Sequence, residues 1–164
     1  AESDGKTPCL GEDAMKRFRL MWNDVIYQPG EIRVVAYNIE GQAVEEKTIR
    51  TAGKAASIKL TPDRKVLKAD GEDLCYINVS LTDKDGNPVP ADNRLMKVKV
   101  SGDGSFKAIA NGDPTCLESF QQPQMHLFSG QLTVLVQSSS QPGEITVEVT
   151  GKGVKKARLT IITE

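Results

Sequence analysis

The stretch "LCYINVSLT", residues 74 to 82, alternates apolar and polar side chains with a period of two. That period places one face of an extended strand in a core and the other in solvent. Related β-branched runs recur along the chain: "EIRVVAYNI" (31 to 39), "AVEEKTIR" (43 to 50), "ASIKLT" (56 to 61), "RLMKVKVSG" (94 to 102), "FKAIAN" (106 to 111), "QLTVLVQSS" (131 to 139), "EITVEVTG" (144 to 151) and "ARLTIIT" (157 to 163). Breakers stand between them, among them "PGE", "IEGQ", "DKDGNPVP", "GDGS", "NGDP", "QPGE" and "GKG". Short strands punctuated this way, with no recurring helical signal, predict an all-β chain built as an antiparallel sandwich.

The strand rhythm breaks once, at "TAGKAA" (51 to 56), which divides the chain into residues 1 to 53 and 54 to 164. The second part supplies six or seven strands over roughly 110 residues, the size of one immunoglobulin-like sandwich. The first part offers only three, "RFRLMW", "EIRVVAYNI" and "AVEEKTIR". Three strands expose an apolar face unless something covers it.

Composition removes several classes of function. The 21 basic and 22 acidic side chains nearly cancel, so nothing draws the chain to nucleic acid or to anionic membranes. No stretch nears the roughly 20 apolar residues of a membrane span, and no signal segment opens the chain. The first residue is Ala rather than Met, as expected of a processed protein or a piece of a longer one. At 164 residues it is shorter than a barrel enzyme of about 250.

Chemistry-bearing patterns are sparse. Cys9, Cys75 and Cys116 share no metal-binding spacing; Cys75 reads as a small core hydrophobe, while pairing of Cys9 with Cys116 stays open. No pair among the acidic residues forms an acid/base motif, and a nucleophile–base arrangement would have to use His126, the only histidine. "DKDGNPVP" (83 to 90) has Asp83 and Asp85 in the alternation of a calcium loop, but its glycine comes too early and strands flank it, so it reads as a turn. No cofactor or metal is expected.

Two stretches remain as candidate contact surfaces. Phe18, Trp22, Tyr27 and Tyr37, half of the eight aromatics, lie around the Pro29-Gly30 turn, and could form either a sugar-stacking platform or half of a core. Strand packing places Trp22 and Tyr37 in a core and leaves Tyr27 for contact with sugar or partner. The second stretch, Asn111 to Phe128, is a long surface connection in which Asn111, Asp113, Phe120, His126 and Phe128 are the candidate contacts.

Taken in order, "RLMWNDVIYQPGEIRVVAY", "TIRTAGKAASIKLTPDR", "DGEDLCYINVSLTDKDGNPVP", "GDGSFKAIANGDP" and "HLFSG" closely resemble the C-terminal accessory modules of family 2 glycoside hydrolases of the bacterial β-galactosidase type. The resemblance runs from about Phe18 to the end. It implies a periplasmic or secreted multidomain parent with a catalytic barrel carrying two glutamates. Neither glutamate motif is present here, so the chain alone should be inert. "DGKTPCLG" (4 to 11) resembles a diverged turn of the module ending at "TAG", which implies that residues 1 to 53 are the C-terminal part of a truncated sandwich module. Its uncovered edge and face would invite packing on other domains of the parent, or self-association. Two alternatives stand beside the accessory region: a carbohydrate-binding module using the aromatics, and an invasin-like adhesion domain, whose repeats use wording similar to "DKDGNPVP".

Overall fold

A computed structural model describes residues 25 to 164. The "RFRLMW" strand, Cys9, Phe18, Trp22 and the "DGKTPCLG" turn lie outside these residues. The described residues form eleven strands and no helix. The chain divides into two units, Ala1–Thr51 and Ala52–Glu164.

In the first unit, β1 (Glu31–Tyr37) and β2 (Ala43–Arg50) pair antiparallel as a ribbon. Asn38 closes its turn: its Oδ1 accepts from the backbone N–H groups of Glu40 (3.0 Å) and Gln42 (2.9 Å). One face carries charge, with Glu31 opposite Arg50 and an Arg33–Glu46 pair at 2.7 Å from Nε to Oε1. The other carries Ile32 opposite Ile49 and Val34, all exposed. Tyr37, expected in a core, is instead 64% exposed. It ends β1 beside the Asn38 turn, past a shift of register at Ala36, where the preference of aromatic strand residues for a core does not hold.

The second unit is a sandwich. One sheet has the order β3-β5-β9-β7, from β3 (Ser57–Pro62), β5 (Leu74–Thr82), β9 (Gln131–Ser138) and β7 (Gly104–Ala110). The other runs β4-β11-β10-β6-β8, from β4 (Val66–Leu67), β11 (Ala157–Thr163), β10 (Gly143–Gly151), β6 (Leu95–Gly102) and β8 (Gln124–His126). Inward positions follow the period of two. Cys75, Ile77, Val79 and Leu81 of β5 meet Val134, Val136, Ile145, Val147, Val149, Met96 and Ile161 in one buried cluster. Burying a Val, Leu or Ile side chain contributes about 1.5–3 kcal/mol, so this interior dominates the stability of the unit.

Two short strands escaped the sequence reading. β4 is two residues long, and pairs parallel with β11, Ile162 beside Val66. The chain thus leaves one sheet at Pro62 and joins the other at Val66, making a parallel strand pair beside the antiparallel ones. β8 is three residues long within the expected connection. Neither is long enough to show a period.

Candidate functional site

Asn111–Pro123 links β7, at the edge of one sheet, to β8, at the edge of the other. Its first turn follows from "NGDP": Asn111 Oδ1 accepts from Asp113 N–H at 3.0 Å, and Asp113 Oδ1 accepts from Thr115 N–H and Oγ1, each at 2.8 Å. Asn111 Nδ2 donates across the loop to the His126 carbonyl at 3.0 Å. Glu118 closes the far side, taking the His126 N–H on Oε2 at 2.9 Å and facing His126 Nδ1 with Oε1 at 3.0 Å. That backbone donor, and then the imidazole, hold the Glu118 carboxyl below the usual glutamate range. Phe120 is tied by its carbonyl, which accepts from Ile109 N–H at 2.8 Å.

The loop is therefore pinned at both ends and along its length while its apolar side chains face solvent. Leu117 is 100% exposed and Phe120 55%; Phe128 and His126 are exposed too, and Asn111 and Asp113 are half-buried in the turn. The candidates Asn111, Asp113, Phe120, His126 and Phe128 divide into two roles, two shaping residues and three presented ones. Sequence reasoning missed Glu118 and Leu117. Glu118 is one carboxylate in a loop without periodicity, and its backbone partner becomes visible only in three dimensions.

After Phe128 the chain reverses at Ser129 and Gly130, with φ of 51° and 72°. Phe128 and Gln131 exchange both backbone hydrogen bonds at 3.0 Å, a two-residue turn with positive φ at both central positions. It is the corner where the chain passes from β8 in one sheet to β9 in the other.

"DKDGNPVP" is a turn organised by one carboxylate. Asp83, buried, accepts from the N–H groups of Gly53 (2.8 Å), Asp85 (2.9 Å) and Asn87 (2.8 Å) and from Asn87 Nδ2 (3.1 Å). The Gly53 donor foremost, then the Asn87 amide, lower its pKa to about 2. Its oxygens are engaged by donors, as a turn requires. Among the described residues no group of three or more His, Cys, Asp or Glu is placed to hold a metal. Cys75 is buried as expected, and desolvation pushes its thiol up to about 12. Cys116 Sγ lies 3.7 Å from Asn111 Nδ2; its pairing with Cys9 concerns a residue outside those described.

In the opening stretch, Tyr27 is 71% exposed, with its hydroxyl 3.4 Å from Thr51 Oγ1. The same Thr51 Oγ1 accepts from Gly30 N–H at 3.0 Å, so the Pro-Gly turn and the "TAG" phrase are neighbours. Trp22 lies outside the described residues.

The larger unit is an immunoglobulin-like sandwich that presents one loop, Asn111–Phe128, at the edge between its two sheets. Residues 58–160 match the family model for the glycoside hydrolase family 2 C-terminal domain 5, and the chain belongs to that family. Residues 5–45 match a domain of unknown function, DUF4982. The chain is 35% identical over 161 residues to the beta-galactosidase BoGH2A of Bacteroides ovatus, covering 98% of this chain and 19% of that protein. It is 27% identical over 137 residues to a beta-galactosidase of Thermoanaerobacter pseudethanolicus, covering 84% of this chain and 17% of that one. A glycosyl hydrolase family 2 member from Bacteroides cellulosilyticus has a solved structure similar to this chain, with a TM-score of 0.80 at 31% identity, over 85% of this chain and 18% of that one. The chain thus spans about a fifth of the length of the relatives it matches, and the family that it matches is a C-terminal domain rather than a catalytic barrel.

Proposed function

We propose that the chain is the non-catalytic C-terminal region of a longer, periplasmic or secreted glycoside hydrolase of the β-galactosidase type, and that the Asn111–Phe128 loop contacts other domains of that protein. The observation that carries this reading is the pairing of a match along 98% of the chain to one-fifth of a β-galactosidase with a loop held rigid while Leu117 and Phe120 face solvent. A pre-organised surface loses little entropy on docking, so a few apolar side chains suffice.

The test compares this chain with the longer polypeptide of its reading frame. The longer protein should hydrolyse an aryl β-galactoside and this chain should not. Replacing Leu117 and Phe120 by serine should lower the melting temperature of the longer protein while leaving that of this chain unchanged. No activity in the longer protein would sink the parentage, and an unchanged melting temperature would sink the role of the loop.

The exposure of Tyr27, Phe120 and Phe128 supports a second reading, in which these rings stack on sugar. Titrating galactosides and polysaccharides while following chemical shifts of the three rings tests it. No shift up to millimolar ligand would count against it.

A further inference from the structure

The two outer faces of the sandwich differ in charge. On the five-stranded sheet, Lys97, Lys99, Glu144, Glu148 and Arg158 stand on the central strands. Glu148 lies opposite Lys99 on one side and Arg158 on the other, and Lys156 Nζ reaches it at 3.0 Å. This is how a sheet face in contact with water is composed.

The four-stranded sheet breaks that rule. Its central strands, β5 and β9, hold no Asp, Glu, Lys or Arg; its only such residues are Lys59 and Lys107, one on each edge strand. Outward positions form cross-strand rows: Tyr76, Leu135 and Ala108; Asn78, Thr133 and Ala110; Leu74, Gln137 and Ser105. Tyr76, at the centre of the face, is 46% exposed. Asp63, just past the end of β3, accepts the Tyr76 N–H at 2.9 Å and pairs with Arg64, so charge is kept to the edges of the face around an uncharged centre, the anatomy of an interface.

Its size points to the occupant. Four strands about 4.8 Å apart and about 26 Å long present roughly 500 Å². Two such faces would bury about 1,000 Å², below the roughly 1,200–2,000 Å² of complexes between independent proteins. A tethered partner needs less, because covalent linkage supplies an effective concentration near millimolar. The relatives this chain matches are about five times its length, so a tethered partner is available in proteins of this kind.

We infer that the outer face of the β3-β5-β9-β7 sheet, centred on Tyr76 and Leu135, packs against an uncharged surface of another domain in the same longer polypeptide. The inference rests on the accessory-region reading, and uses a face separate from the Asn111–Phe128 loop.

Hydroxyl-radical footprinting of this chain and of the longer polypeptide tests it. Tyr76 should be oxidised at least five-fold more slowly in the longer protein, while Ile162, on the opposite sheet, should react equally in both. In the longer protein Tyr76→Lys with Leu135→Lys should raise the rate at which a protease releases this region at least ten-fold, and Thr146→Lys should not. In this chain alone the double variant should leave the melting temperature and the monomeric sedimentation unchanged. Equal oxidation of Tyr76 in the two proteins overturns the inference, and so does self-association of this chain that the double variant abolishes, since the occupant is then a second copy. A longer protein that lacks glycosidase activity yet protects Tyr76 overturns the parentage and spares the interface.

Discussion

Gly130 is a residue outside the core at which one added methyl group should be costly. Its φ is 72°, and a Cβ built there would sit 2.1 Å from the Val89 carbonyl oxygen and 3.0 Å from its carbon. Both atoms are backbone, so neither can swing aside. Gly86 is the natural control: its φ is 84°, but nothing lies within 4 Å of the added Cβ. Left-handed backbone costs an alanine about 1–2 kcal/mol, partly offset by about 0.4–1 kcal/mol from the stiffer unfolded chain. Gly86→Ala should therefore cost about 1 kcal/mol or less. At Gly130 the same backbone cost is joined by about 1–3 kcal/mol for forcing the two segments apart. Gly130→Ala should cost about 2–4 kcal/mol in total, lowering the melting temperature of the unit by roughly 8–16 °C at about 4 °C per kcal/mol. Thermal unfolding of this chain followed by far-ultraviolet circular dichroism measures both variants side by side. Equal shifts for the two substitutions would refute the argument, because they would show that the corner between β8 and β9 yields without resistance.

Asp83→Asn should flatten the acid limb of stability. The carboxyl is ionised in the folded state down to about pH 2, below the ordinary value of 3.8, so its contribution is complete above the unfolded pKa and is lost as pH falls toward 2. Urea midpoints at pH 3 and pH 7 should differ less in the variant than in the parent chain. Ser138 Oγ is buried without a hydrogen-bond partner, and Ser138→Ala should be neutral or stabilising by about 1 kcal/mol, read as a higher urea midpoint. Cys75, buried and with its thiol at about 12, should resist iodoacetamide at pH 8 in the folded chain and react once denaturant is added, whereas half-buried Cys116 should react without denaturant. Mass spectrometry of the peptides distinguishes the two.

The larger strands were legible because their signal is local. "LCYINVSLT" becomes β5 with the same bounds, since every second residue has to enter the core for the strand to gain anything from burial. "AVEEKTIR" and "ARLTIIT" likewise match β2 and β11. β4 and β8 were not legible, because two or three residues cannot display a period and are held by partners distant in sequence. The loop was found as a stretch rather than as a mechanism. "NGDP" announces its turn, but nothing near Glu118 says that its carboxylate will take the His126 N–H. Tyr37 marks the opposite failure: the preference of aromatic strand residues for a core placed it inside, whereas at the end of β1, beside the Asn38 turn, it is exposed.

The amino-acid order alone determined that this chain is a series of short strands, where its turns fall, that Cys75 is a core residue, and which family it resembles. These properties depend on neighbours within a few residues, where side-chain period and backbone preference act. Tertiary structure decided what depends on distant neighbours: the crossing from Pro62 to the parallel β4, the carboxylate of Asp83 reaching Gly53, and the contrast between a charged and an uncharged outer face. A strand carries its inward and outward sides in its sequence, but which outer side meets water is settled only once strands from far-apart positions have been laid edge to edge.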